Sequence, residues 1–172
     1  MNTALDKRAN HIVEYLLYVW QMEDVVRAAE FDSGVIRAMF NGQDGPDLEW
    51  MLELAEAMKK EGLQDHGHVA HAMETLTELA LLHDLITGPM EDSDYVKIFK
   101  DADPLLLELQ AKKSSKDPYQ HPVEQMLTAL YGWLVLRMKK EAVSVETEAA
   151  MVAIRKMANT LARGHIRVYE GR

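Results

Sequence analysis

The sequence predicts an all-α fold, a single domain over residues 1–172 built as a bundle of about seven helices. Three observations carry that prediction. Apolar residues recur at three- and four-residue intervals through segment after segment, the period of a helix with one buried face. Between those segments stand helix start and stop residues, Asp, Ser or Pro at the beginnings and Gly or Gly-Pro at the ends. No stretch alternates apolar and polar residues for long enough to compete as a strand, and no long internal repeat appears.

The first helix is expected from about Ala4–Asp6 to Glu30. At about 100° per residue, Ile12, Leu16, Val19, Trp20 and Val26 share one side, and Val13, Tyr15, Leu17 and Met22 widen it to most of the circumference. A helix apolar nearly all round is a central one. Asp32 and Ser33 cap a short helix, VIRAMF, that ends at Asn41 and Gly42. Gly45 and Pro46 open a third helix carrying Leu48, Met51, Leu52, Ala55 and Met58, which stops at Gly62. Asp65–Gly67 starts a fourth that runs to Thr87 before Gly88 and Pro89. Its apolar face is Val69, Ala72, Met73, Leu76, Leu79 and Ala80, with His83 pointing inward from it. Glu91–Lys100 reads as a fifth helix and Asp103-Pro104 as a cap and restart, leaving Leu105–Lys112 as a separate helix or a kinked continuation. Lys112–Pro118 is a loop of lysines and serines. The sixth helix runs from about Pro118 to Lys140, with Val123, Met126, Leu127, Leu130, Tyr131, Leu134 and Met138 inside and Arg137 projecting between Met126 and Leu130. Ser144 caps the seventh, which has Glu146 and Glu148 in its first turn. The closing IRVYEGR is expected to be extended or frayed. The first, fourth, sixth and seventh helices are expected to form the core.

One stretch carries more than periodicity. Asn10 to Arg27, NHIVEYLLYVWQMEDVVR, resembles the opening of Domain of Unknown Function 4924, an uncharacterised bacterial family, through Asn10, Ile12, Glu14–Tyr18, Trp20, Gln21, Glu23, Asp24 and Arg27. The resemblance implies an all-helical fold and a bacterial cytoplasmic origin. It implies no catalytic residue.

Composition narrows the function classes. The chain has no cysteine, which excludes disulfides and thiolate metal sites and suits a reducing compartment. The N-terminal MNTALDKRAN lacks the apolar run of a signal peptide, and no apolar run is long enough for a membrane span, so the protein is expected to be soluble and cytoplasmic. Eleven Met against three Phe point to adaptable aliphatic packing and indicate no cofactor. A net charge of −9 argues against a nucleic-acid partner, which needs a concentrated positive field. The charge is uneven. Residues 1–111 hold 8 Lys or Arg against 22 Asp or Glu, and residues 112–172 hold 11 against 6. Two parts packing on one another explain that asymmetry, as does a basic partner for the acidic part.

Three constellations can carry chemistry. Glu23, Asp24, Arg27, His83 and Arg137 each lie on or beside an apolar stripe, and charges stranded there need partners. Glu23 and Arg27 can pair at i,i+4. Asp24 has no partner in its own helix, so one is expected from elsewhere, with Arg137 the candidate. The cluster reads either as a buried network fixing helix register or as a polar pocket in which His83 is an acid/base and an arginine holds an anion. Second, His11 with Glu14 and His121 with Glu124 are i,i+3 pairs able to ligate zinc, iron or manganese, although the di-iron bundle order is Glu first. The plainer reading is solvated or capping side chains, since His11 and Glu14 lie toward the polar side of their helix. Third, His68 and His71, beside His66, can bind zinc at a helix start or simply face solvent. With no catalytic signature among them, the leading expectation is a non-catalytic binding or assembly protein, with a homo-oligomer or a protein partner. The alternative is a bundle enzyme, metal-dependent or using the inward cluster.

Overall fold

The computed structural model describes residues 2–112 and 120–171. Among them stand eight helices and no strand: α1 (Thr3–Asn10), α2 (Ile12–Ala28), α3 (Ser33–Met39), α4 (Pro46–Glu61), α5 (Ala70–Thr87), α6 (Ser93–Ala111), α7 (Pro122–Met138) and α8 (Val145–Tyr169). No described helix is long and apolar enough to cross a membrane. The chain separates into two compact units, Met1–Thr75 and Leu76–Arg172, and the division falls inside α5.

In the first unit the expected first helix is two. His11 sits in extended backbone (φ −159°, ψ 92°), where its N–H donates to the Lys7 carbonyl at 2.7 Å and closes α1. Its Nδ1 accepts the Glu14 N–H at 3.2 Å and opens α2. One residue therefore ends one helix and caps the next. α2 packs on α1 and α4, and α3 packs on α4. Ile12, Leu16, Val19 and Val26 of α2 are buried, as the apolar circumference requires, along with Met51, Ala55 and Met58 of α4. Asp47, in the first turn of α4, accepts from the Thr3 N–H at 2.7 Å and its hydroxyl at 3.1 Å, tying the start of α1 to that of α4. Gly62, at φ 73°, takes the left-handed conformation that ends α4, where a side chain would be strained.

The second unit differs from expectation in three places. α6 is one helix with Pro104 inside it, the continuation that the sequence left open and not the capped restart. Pro104 is exposed, so the hydrogen bond it removes lies toward solvent, while Tyr95, Ala102 and Leu106 hold the buried face. That face packs on α8 and α7, so α6 belongs to the core from which it had been left out. The C-terminal residues are helical as far as Tyr169, because His165 is buried with its ring tilted against that of Tyr169 at 5.0 Å while Arg167 pairs with Asp92 at 3.2 Å. Beyond Lys112, which ends α6, the loop expected at Lys112–Pro118 and the helix start at Pro118 fall on residues 113–119, outside the described residues. α7 begins at Pro122 with His121 as its cap.

Candidate functional site

The inward charges resolve by unit. In the first, Glu23 has no exposed surface. Its Oε1 accepts the Val69 N–H at 2.8 Å, and its Oε2 meets His68 Nδ1 at 2.6 Å. Val69 directly precedes α5, and the next N–H, of Ala70, donates to Glu61 at 2.9 Å. Orphan donors at a helix start are thus answered by carboxylates of α2 and α4, which is why α5 begins at Ala70 and not at Asp65–Gly67. Trp20 stacks on His68 with centroids 4.2 Å apart and planes 11° from parallel.

Arg27 does not pair with Glu23. Its Nε donates to the Leu63 carbonyl at 3.1 Å, its second terminal nitrogen to the Gly67 carbonyl, and its first to Asp24 Oδ1 at 3.1 Å. The partner sought for Asp24 elsewhere is one turn along its own helix. Asp24 is exposed, as is Arg137, whose guanidinium lies 4.7 Å over the Trp133 ring. Both were expected to point inward. Each sits at the edge of its helix's apolar arc, which a neighbouring helix leaves uncovered.

The histidine pairs also separate. His11 is spent on the α2 cap, and Glu14 pairs with Lys7 at 3.3 Å. His68 belongs to the Glu23 network, whereas His71 is exposed on α5. Glu124 accepts from Gln120 at 3.3 Å and takes no part with His121.

His121 instead meets Asp84 and His83. The imidazole Nδ1 of His121 accepts the Val123 N–H at 3.1 Å, and its Nε2 lies 2.9 Å from Asp84 Oδ1. The His83 ring stands edge-on to His121 at 5.3 Å and to Phe99 at 4.6 Å, and its Nδ1 is 2.7 Å from the Tyr95 hydroxyl. Burial pushes His83 down to about 4, the nearby His121 adds to the shift, and Asp84 opposes it. His83 is therefore neutral at pH 7. Burial likewise pushes the Tyr95 phenol well above its ordinary value, so it stays protonated. Among the described residues Tyr95, Phe99 and His121 meet His83, and the arginine of the pocket reading is not one of these partners.

A cavity of about 210 Å³ opens between α6, α7 and α8. Leu106, Leu109, Leu136, Trp133 and Met151 make it largely apolar, and Gln110, Gln120, Gln125, Thr128 and Thr147 supply its polar groups. Gln125 is 4% exposed. Its amide nitrogen donates to Gln110 Oε1, but its own Oε1 is buried with no hydrogen-bond partner among the described residues. A buried acceptor left unpaired costs about 1–3 kcal/mol. Gly132, in the middle of α7, also lines the cavity, and a Cβ there would meet nothing within 4 Å. Sequence reasoning missed this site. Its signals were a glutamine at an inner-face position between Val123 and Met126 and a glycine interrupting a helix.

Residues 1–172 match the family described as Domain of unknown function (DUF4924). No curated protein and no solved structure matches the chain.

Proposed function

This chain belongs to the DUF4924 family, described only as a domain of unknown function, and we propose that it is a non-catalytic binding module for a small apolar molecule bearing one hydrogen-bond donor. The observation that carries the proposal is the α6–α7–α8 cavity, mostly apolar in its lining and walled in part by Gln125, whose carbonyl oxygen is buried without a hydrogen-bond partner among the described residues. An apolar enclosure with few oriented polar groups is the usual form of a small-molecule site. A volume of about 210 Å³ takes more than a benzene ring, which occupies an engineered cavity of roughly 150 Å³. Gly132 supports the same reading, since a mid-helix glycine forgoes roughly 0.5–1 kcal/mol relative to alanine and keeps that wall open. A bacterial cytoplasmic setting accords with a chain that has no cysteine.

Indole, a flat apolar body with one N–H, is the probe, and indene is its counterpart without the donor. By titration calorimetry indole is expected to bind roughly three- to tenfold tighter than indene, the worth of one hydrogen bond. Gln125→Leu should erase that preference, and Gly132→Phe should abolish binding of both while the far-ultraviolet dichroism stays helical. Equal affinities for the two probes in the wild type, or binding unchanged in Gly132→Phe, would sink the reading.

A further inference from the structure

We propose that His83, Asp84 and His121 form a binding site for one divalent first-row transition metal ion. The three offer two imidazole nitrogens and a carboxylate oxygen that all lie within 4.8 Å of one another. That is the spacing of donors around a single ion, and two nitrogens with one oxygen suit zinc, iron(II) or cobalt(II) over magnesium or calcium. Of the three, His121 alone belongs to a spacing pair that suggested metal in the sequence, and it leaves Glu124 to join residues on α5.

The surroundings orient two of the donors. The Tyr95 hydroxyl holds His83 Nδ1 at 2.7 Å, so Nε2 is the nitrogen His83 has to offer, and the outer nitrogen of a metal-bound histidine is commonly fixed in this way. His121 points Nε2 at Asp84. With Nδ1 accepting from Val123, the neutral ring carries its proton on Nε2. Metal binding at Nε2 moves that proton to Nδ1, so no proton is lost from the protein and the cap bond to Val123 is given up. The Asp84 side chain is 62% exposed and that of His121 29%, which gives an ion a route from solvent and leaves its remaining positions to water. This site is independent of the Gln125 cavity.

The test uses full-length, tag-free protein with cobalt(II) as the probe, read by its visible ligand-field bands, and zinc as the competitor. One cobalt ion per chain, displaced by one zinc, is expected. Asp84→Asn and His121→Asn should each remove the bands, the asparagine at 121 still serving as a helix cap. Tyr95→Phe should weaken binding about tenfold and keep the spectrum, the mark of a positioning residue. His71→Asn should change nothing. If a ligand variant fails to fold, wild-type histidine ring resonances decide, since zinc should shift those of His83 and His121 alone among the seven. Bands that survive Asp84→Asn and His121→Asn, bands lost in His71→Asn, zinc shifts confined to other histidines, or no bound cobalt at all overturn the proposal.

Discussion

A carboxylate stripped of all exposed surface costs several kcal/mol unless its charge is answered, and Glu23 is answered by the Val69 N–H and His68 together. Its role is to anchor the segment leading into α5, with Arg27 holding the Leu63 and Gly67 carbonyls of the same segment. Glu23→Ala removes both acceptors and leaves the Val69 N–H buried without a partner, so the free energy of unfolding should fall by about 2–3 kcal/mol. Glu23→Gln keeps an oxygen for that N–H and should cost about half as much, a difference that urea denaturation resolves. Of the inward charges read from the sequence, Glu23 and His83 are buried and Asp24 and Arg137 are not. Helical spacing gives the angle of a side chain, and Asp24 and Arg137 lie where a shift of one residue's angle separates a covered edge from an open one. The partners of Glu23 were illegible for another reason. Val69 and His68 lie some 45 residues away in a segment without periodicity, and only the folded chain brings them to α2.

Helix existence was readable from apolar period and caps, and two of the boundaries that moved did so where an unusual residue performs the capping. Histidine is not among the preferred caps, yet His11 opens α2 and His121 opens α7, so a single long first helix was the natural expectation. Asp92 is an ordinary cap with an added duty. Its Oδ1 accepts the Tyr95 N–H at 3.0 Å and its Oδ2 takes Arg167 of α8 at 3.2 Å, fixing the start of α6 against the end of α8. The Tyr95 N–H, with Arg167 assisting, holds the Asp92 carboxyl below its ordinary value. A depressed carboxyl stabilises the fold above its unfolded value and loses that contribution as pH falls through the folded one. Asp92→Asn keeps a capping oxygen but no charge, so it should cost roughly 0.3–1 kcal/mol at pH 7. The gap to the wild type should close in acid, below the ordinary carboxylate range, when urea midpoints are compared across pH. A gap that stays constant into strong acid would mean that the charge contributes nothing.

Over the whole chain the all-α class was legible, but the two units were not, because their division falls inside α5, a continuous helix with no linker or change of composition to mark it. That division also moves the charge asymmetry. Met1–Thr75 holds 6 Lys or Arg against 14 Asp or Glu, and Leu76–Arg172 holds 13 against 14, so nearly all of the net charge of −9 belongs to the first unit. Of its ion pairs, Lys7–Glu14, Arg37–Asp44 and Lys59–Glu56 are largely exposed and therefore weak. The remaining acids repel one another across a compact body, and that repulsion opposes folding. Salt shortens its reach, from roughly 30 Å at 0.01 M to about 10 Å at 0.1 M, so the urea midpoint should rise with sodium chloride over this range. Asp65 is an exposed acid of this unit, in the segment before α5. Asp65→Lys should raise stability at low salt by up to about 0.5 kcal/mol, the usual limit for a surface change, and lose most of that advantage at 0.1 M and above. An Asp65→Lys gain that is indifferent to salt would locate its cause in local contacts and remove repulsion within the first unit as a determinant of stability.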